Sequence, residues 1–166
     1  MLYELEEINR RIATRPKNFI EEFESRFNHA IEDRADQIAK DHAYKIVMVS
    51  GPSASGKTTT TLKLERYLEE RGLEAHTISL DDFFLPRKEA PKKEDGSNDY
   101  ETVYSLNLEL LENCCAMLVR GEKTPMPKYD FLTGLSNPSA YELQLRENEV
   151  VLMEGIHALN DIVTQH

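Results

Sequence analysis

Gly51-Pro-Ser-Ala-Ser-Gly-Lys-Thr58 sets two glycines, a lysine and a hydroxyl at the spacing G-x-x-x-x-G-K-[ST], the Walker A pattern. The chemistry such a segment serves is the binding of a polyphosphate. Gly51 and Gly56 allow a tight turn without a Cβ in the way, so successive backbone N–H groups converge on one anion. A helix opening after Gly56 aims its free N–H groups and positive dipole end at the same point. Lys57 has the reach and charge to bridge the β- and γ-phosphates, and Thr58 offers a hydroxyl to Mg²⁺. The expected ATP-binding residues are Gly51, Ser53, Ala54, Ser55, Gly56, Lys57, Thr58 and Thr59.

A phosphate loop alone does not separate an ATPase from a kinase or a GTP switch. Two further acidic sites do more. Ile78-Ser-Leu-Asp-Asp-Phe-Phe84 brings Asp81 and Asp82 to the end of a strand-like segment, where parallel α/β sheets border their ligand crevice. A carboxylate there can take the proton of an acceptor hydroxyl, orient that hydroxyl, or hold Mg²⁺ through water. An N-cap or a solvated acidic pair is the plain alternative. Met153-Glu154-Gly155 ends a second apolar run with one acid, which suits a contact to Mg²⁺ or equally a simple strand end.

These residues need elements to position them. Residues 45–50 form a short β-rich apolar run expected to be a buried parallel strand, followed after the loop by a helix with Leu62, Leu64 and Leu68 that Gly72 stops. Residues 75–79 and 149–153 are further strands. Residues 85–104, rich in charge, Pro, Gly and Asn, are expected to be a mobile loop. Ser105 is placed to cap a helix running to Arg120 before Gly121. Residues 125–131 and 139–145 flank Gly134, Asn137 and Pro138 as a β-hairpin. Upstream, residues 2–13 are a short charged helix, and Phe19, Ile20, Phe23, Phe27, Ile31, Ala35 and Ile38 recur at helical spacing after Pro16. The expected fold is α/β: a P-loop NTPase-type parallel sheet flanked by helices, with a small β-hairpin, residues 41–166, behind an N-terminal helical extension or linker, residues 1–40.

Composition narrows the partners. The 166 residues carry 30 acidic and 20 basic side chains, a formal charge of −10, which argues against a nucleic-acid footprint or an anionic membrane surface. No run approaches the ~18 apolar residues of a membrane span, and the acidic start lacks a signal-peptide pattern. Cys114 and Cys115, adjacent on a helix, read as reduced packing thiols, so a soluble, cytoplasmic protein is expected. His42, His76, His157 and His166 show no ligand spacing, and no zinc is expected. A homo-oligomer is compatible with all of this.

Four segments in order, Gly51-Pro-Ser-Ala-Ser-Gly-Lys-Thr-Thr59, Ile78-Ser-Leu-Asp-Asp-Phe-Phe84, Pro127-Lys-Tyr-Asp-Phe131 and Val151-Leu-Met-Glu-Gly-Ile156, resemble the motifs of the uridine kinase and phosphoribulokinase family over roughly residues 44–160. The resemblance implies a kinase that moves the ATP γ-phosphate to a hydroxyl of a nucleoside. It makes Asp81 the catalytic base beside Lys57, and Glu154 the acid near Mg²⁺ with Thr58. Substrate contacts then fall to Asp81, Phe84, Asp99 and Tyr129; Asp99 matches an acid on the ribose hydroxyls, and Tyr129 an aromatic of the base pocket. Where the uridine kinases carry a histidine and an arginine after the Tyr-Asp-Phe motif, this chain has Thr133-Gly-Leu-Ser136. Family members also continue beyond the point matching His166, with a lid bearing phosphate-clamping arginines. The chain is therefore expected to be the front part of a longer kinase, weak in turnover alone. In some relatives a domain like part of threonyl-tRNA synthetase precedes the kinase, which a helical 1–40 junction would suit. The alternatives are a P-loop kinase for another small hydroxyl substrate, such as a sugar phosphate, and a non-catalytic nucleotide-binding module.

Overall fold

The arrangement centres on β5 (Glu149–Gly155) in a computed structural model that describes residues 4–41 and 43–165. Its run Val150–Met153 is wholly buried, as a strand covered on both faces must be. β1 (Ile46–Ser50) and β2 (Glu74–Ser79) pair with it in parallel, one on each side, in the order β1-β5-β2. The expectation of a buried strand at 45–50 is corrected here: every residue of β1 is half-buried, because among the described residues only β5 lies alongside it.

Parallel neighbours need crossovers. α3 (Lys57–Glu69) joins β1 to β2; α4 (Leu108–Val119) and a hairpin of β3 (Thr124–Asp130) and β4 (Leu135–Leu143) separate β2 from β5. α1 (Leu5–Thr14) and α2 (Pro16–Lys40) precede the sheet, and the short α5 (Asp161–Thr164) follows it.

Alternation along β5 divides the core in two. Val150 and Leu152 face α2 and α3, where they pack with Ile31, Ala35, Ile38, Leu64 and Leu68. Val151 and Met153 face the other way, onto Phe83, Leu111, Leu118 and Met126. The second half of α2 thus closes one face of the sheet, while Ile20 and Phe27 in its first half stay exposed. Polar ties hold α2 to α3: Lys63 Nζ donates to Asn28 Oδ1 at 2.6 Å, and Arg71 Nε to Asp36 Oδ1 at 2.5 Å.

Three local expectations change. Asn107, not Ser105, caps α4: its Oδ1 accepts from Leu110 N at 3.0 Å. Ser105 lies in a preceding 3₁₀ turn, where its hydroxyl donates to Thr102 O. The helix runs only to Val119, with Gly121 in left-handed conformation beyond it. Asn137 and Pro138 belong to β4 rather than to the hairpin turn, which Gly134 makes at φ +71°. Pro138 sits where the ladder register shifts opposite Pro127, so no donor is missed by either ring. The segment expected as a loose loop is tethered by backbone bonds, among them Leu85 N to Ser105 O, Asp99 N to Pro91 O, and a bridge between Lys92 and Asn98.

Cys114 and Cys115 are free thiols; burial pushes Cys115 up to about 11, with the neighbouring Cys114 adding to it, so the thiol stays protonated. No described helix is long and apolar enough to cross a membrane. His42 and His166 lie outside the described residues. His76 Nε2 stands 3.3 Å from Glu149 Oε2, with Glu74 beside them, at the end of the strands away from the phosphate loop. Sequence spacing hides that group because Glu149 arrives from another strand.

Candidate active site

Parallel pairing in register does most of the assembly. Ser50 lies opposite Gly155, and Ser79 opposite Glu154. The loop leaving β1, the acids following β2 and the Glu154-Gly155 pair ending β5 therefore emerge side by side at one end of the sheet.

The loop itself is built by sterics. A Cβ on Gly51 would lie 2.6 Å from Ser55 Oγ, so a side chain there would push the Ser55 hydroxyl out of its place in the loop. Ala54 at φ +59° and Gly56 at φ +86° turn the backbone left-handed in alternation with ordinary residues, the geometry that points successive amides at one anion. Ala54 is the sole non-glycine described residue with positive φ, a conformation costing about 1–2 kcal/mol. Lys57 opens α3, and its Nζ donates across the loop to Pro52 O at 3.0 Å.

A cavity of about 450 Å³ has Ser53, Ala54, Gly56, Lys57, Thr58 and Thr59 on its loop side. Asp81 and Glu154 complete it from the other two strand ends. Gly51 and Ser55 shape the loop from behind without lining the cavity. Thr58 with Glu154 forms an all-oxygen donor set, which is what Mg²⁺ takes.

Ser79 places the acid. Its hydroxyl accepts from Asp81 N at 3.3 Å and caps the 3₁₀ turn Leu80–Phe83. The two adjacent aspartates then part. Asp82 turns inward, buried, where Lys128 Nζ donates to it at 2.8 Å and ties β3 to this turn. The Asp81 carboxylate takes no hydrogen bond from any described residue. Burial holds it above the usual carboxylate range, helped by the charges of Glu154 and Asp82, while Lys57 and His157 oppose the shift. Lys128→Met leaves the Asp82 carboxylate buried without its cation. The expected outcome is a stability loss of about 1–3 kcal/mol by denaturant titration; a change within a few tenths would show the pair to be solvated.

A second cavity, about 490 Å³, opens beyond Asp81. Phe84, Tyr100, Tyr129 and Phe131 line it with an aromatic cluster in which Phe84 lies 5.2 Å from Tyr100 and 5.6 Å from Tyr129, and Tyr129 5.0 Å from Phe131. Arg87, Asn98 and Glu101 add polar groups, and Ser53, Asp81 and Ile156 belong to both cavities.

The sequence profile of the phosphoribulokinase / uridine kinase family matches residues 46–165. The chain belongs to this family. Among relatives, the uridine kinase of Pectobacterium carotovorum is 27% identical over 124 residues, 74% of this chain and 57% of that protein. The chain thus spans a little over half the length of that relative. Two solved structures share the fold. One, described as a candidate uridine kinase from Bacillus stearothermophilus, has TM-score 0.63 and 22% identity over 80% of this chain and 75% of its own. The other, described as a candidate fructose transport system kinase from Silicibacter, has TM-score 0.56 and 23% identity over 75% and 62%.

Within the family frame, Phe84, Tyr129 and Asp81 are brought together at the second cavity, and Lys57, Thr58 and Glu154 at the first. Asp99 is not brought to either: its Oδ1 accepts from Glu101 N at 3.0 Å and shapes the bend. Two residues on, Glu101 lines the second cavity instead. Asn98, Tyr100, Glu101 and Arg87 were not singled out by sequence. The Asn98–Glu101 stretch has a polar-aromatic composition that hints at a site, but only the fold says which of its side chains turn inward; Arg87 carries no such signal. His157 is a further arrival, with Nε2 buried and unpaired among the described residues and its ring close enough to act on Asp81.

Proposed function

We propose that the protein is an ATP-dependent phosphotransferase that moves the γ-phosphoryl group of ATP to a hydroxyl of a nucleoside. The observation that carries this reading is the position of Asp81 on the wall common to the phosphate cavity and the aromatic cavity. A group with lone pairs free on that boundary can serve both partners of a transfer. The Asp81 carboxylate accepts the proton of the acceptor hydroxyl as its oxygen forms a bond to the γ-phosphorus. The bond from that phosphorus to the bridging oxygen breaks, and ADP leaves with the electron pair. Its raised proton affinity makes Asp81 a better base than a solvated aspartate.

The loop amides and Lys57 hold the polyphosphate and meet charge on its oxygens. Thr58 and Glu154 would hold Mg²⁺, which supplies charge neutralisation at the phosphates. Phe84, Tyr129 and Phe131 offer ring faces and edges to a flat base, which favours a nucleoside over a purely aliphatic alcohol. The second reading, a kinase for another small hydroxyl compound such as a sugar phosphate, draws on the hairpin tip, where Thr133-Gly-Leu-Ser136 stands in place of the family's base-reading residues.

The test is phosphoryl transfer from ATP to a panel of nucleosides, fructose and sugar phosphates by the full-length protein. Transfer to a nucleoside supports the proposal. Transfer to sugars or sugar phosphates alone selects the second reading, and ATP binding without transfer to any acceptor overturns both.

A further inference from the structure

Gly134 is a point where the acceptor cavity departs from a generic aromatic slot. A Cβ built there would fall 2.5 Å from Arg87 Nε, 2.7 Å from its Cβ and 2.8 Å from its Cζ. No side chain fits between the hairpin tip and the arginine. The backbone confirms the fit: Arg87 N donates to Gly134 O at 2.8 Å, and Arg87 Nη2 donates to Phe131 O at 2.7 Å. Glycine at this tip is therefore what lets Arg87, arriving from the segment after β2, lie across the turn and present its guanidinium to the cavity.

Arg87 is in no ion pair among the described residues. One of its five N–H groups donates to Phe131 O, and the guanidinium also bonds the hydroxyls of Tyr100 and Tyr129, which orients it within the cavity wall. The groups beside it are donors too. Asn98 Nδ2 uses its hydrogens on Arg87 O at 3.1 Å and on Tyr100 Oη at 2.9 Å. Tyr100 Oη, already accepting, is placed to pass its own hydrogen to Tyr129 Oη at 3.3 Å, which leaves the Tyr129 hydrogen to be donated in turn. Arg87 and the two tyrosines thus make this wall of the cavity a source of hydrogens, while the acids Asp81 and Glu101 line other parts of the cavity.

Charge decides what kind of oxygen such a wall meets. Asp81 and Glu101 line the same cavity as Arg87, two acids against one base. A phosphorylated acceptor would bring its dianion against that excess, so a neutral carbonyl oxygen is the better match. Resting on the nucleoside-kinase reading above, we infer that Arg87, admitted by Gly134, is the specificity residue of the acceptor site and selects nucleosides whose base carries a carbonyl at the edge, against those carrying an amino group there. An amino edge facing this wall would set donor against donor, and unpaired groups of that kind are what discriminate strongly.

The experiment uses two matched pairs, uridine with cytidine and inosine with adenosine, each differing by oxo against amino. The full-length wild type is expected to prefer the oxo member by about tenfold or more in kcat/KM. Arg87→Met should bring the ratio toward one by raising KM for the oxo member, with KM for ATP unmoved. Arg87→Lys, which keeps a cation without the fork, should recover part of the ratio. The ratio separates recognition from a structural role, because a hairpin merely loosened by the loss of the Phe131 bond would weaken both members alike. Equal use of both members, an amino preference, or a uniform loss in Arg87→Met overturns the inference while leaving a nucleoside kinase. Transfer to sugar phosphates with none to nucleosides overturns the underlying reading as well.

Discussion

Asp81→Asn is expected to abolish most of the transfer and at the same time make the protein more stable. The amide keeps the shape and can still sit at the boundary of the two cavities, but it cannot accept the acceptor's proton, and general-base contributions of this kind are worth about 10²–10⁴ in rate. Stability moves the other way because the wild-type carboxyl is held above its ordinary value of 3.8 by burial and by the Glu154 and Asp82 charges. In the folded state it holds its proton more tightly than in the unfolded chain. Between the unfolded and folded pKa values the folded state therefore binds more protons, so folding weakens as pH rises through that window and stays penalised above it. Asparagine carries no charge and escapes the penalty. The variant's Tm should exceed the wild type's at pH 7, by about 2–4 °C for each kcal/mol relieved, and the gap should close as pH falls below the unfolded carboxyl's range. Paired measurements of kcat and of Tm against pH check both halves. A variant that keeps wild-type turnover, or that melts lower at pH 7 and equal at acid pH, would remove Asp81 from the centre of the site.

That trade-off was only half visible in the sequence. Two adjacent aspartates after Ser79 point to chemistry at a strand end, yet nothing in Asp81-Asp82 says which one faces ligand. The division comes from Lys128, which reaches Asp82 from β3 across 46 residues of chain, a long-range pairing that no local pattern encodes. The loop and Glu154 were legible for the opposite reason. Their geometry is local, a glycine-bounded turn between strand and helix, and a parallel register then carries them to one place.

The fold shows the same contrast. β5 is a continuous apolar run and lies at the centre of the sheet; β1 has much the same composition and lies at its edge, since composition reports affinity for a core and not the number of neighbours. Helix limits shifted where two capping residues competed: Asn107 beats Ser105 because the 3₁₀ turn after Thr102 has already engaged the serine hydroxyl. At the second cavity, Tyr129 alone reads as an ordinary hairpin core residue, and it is indeed buried; its place in the cavity wall comes from Phe84, Tyr100 and Arg87 gathering round it.

Lys57→Met should lower kcat by about 10²–10³, the scale on which a single preorganised charge at the transferring group acts. Methionine keeps the length and the helix start while deleting the ammonium. The loop is expected to survive, because Gly51, the left-handed Ala54 and Gly56, and the Ser55 N to Pro52 O bond at 3.2 Å shape it without the lysine; what is lost within the loop is the bond from Nζ to Pro52 O. The Lys57 charge also acts on Asp81, where it opposes the upward shift. With the ammonium gone, burial and the Glu154 charge are less opposed, and the Asp81 carboxyl should hold its proton to a higher pH. A base must be ionised to work, so the acid limb of the kcat/KM profile is expected to move to higher pH in Lys57→Met, in addition to the overall fall. The two effects report separate partners of one ammonium, the phosphate chain and the base, and they should be non-additive with Asp81→Asn. Full pH–rate profiles of the two single variants and the double variant, with ATP affinity by calorimetry, measure them. A fall in rate with the acid limb unmoved would leave Lys57 acting on phosphate alone, and a rate within tenfold of wild type would take it out of the chemistry.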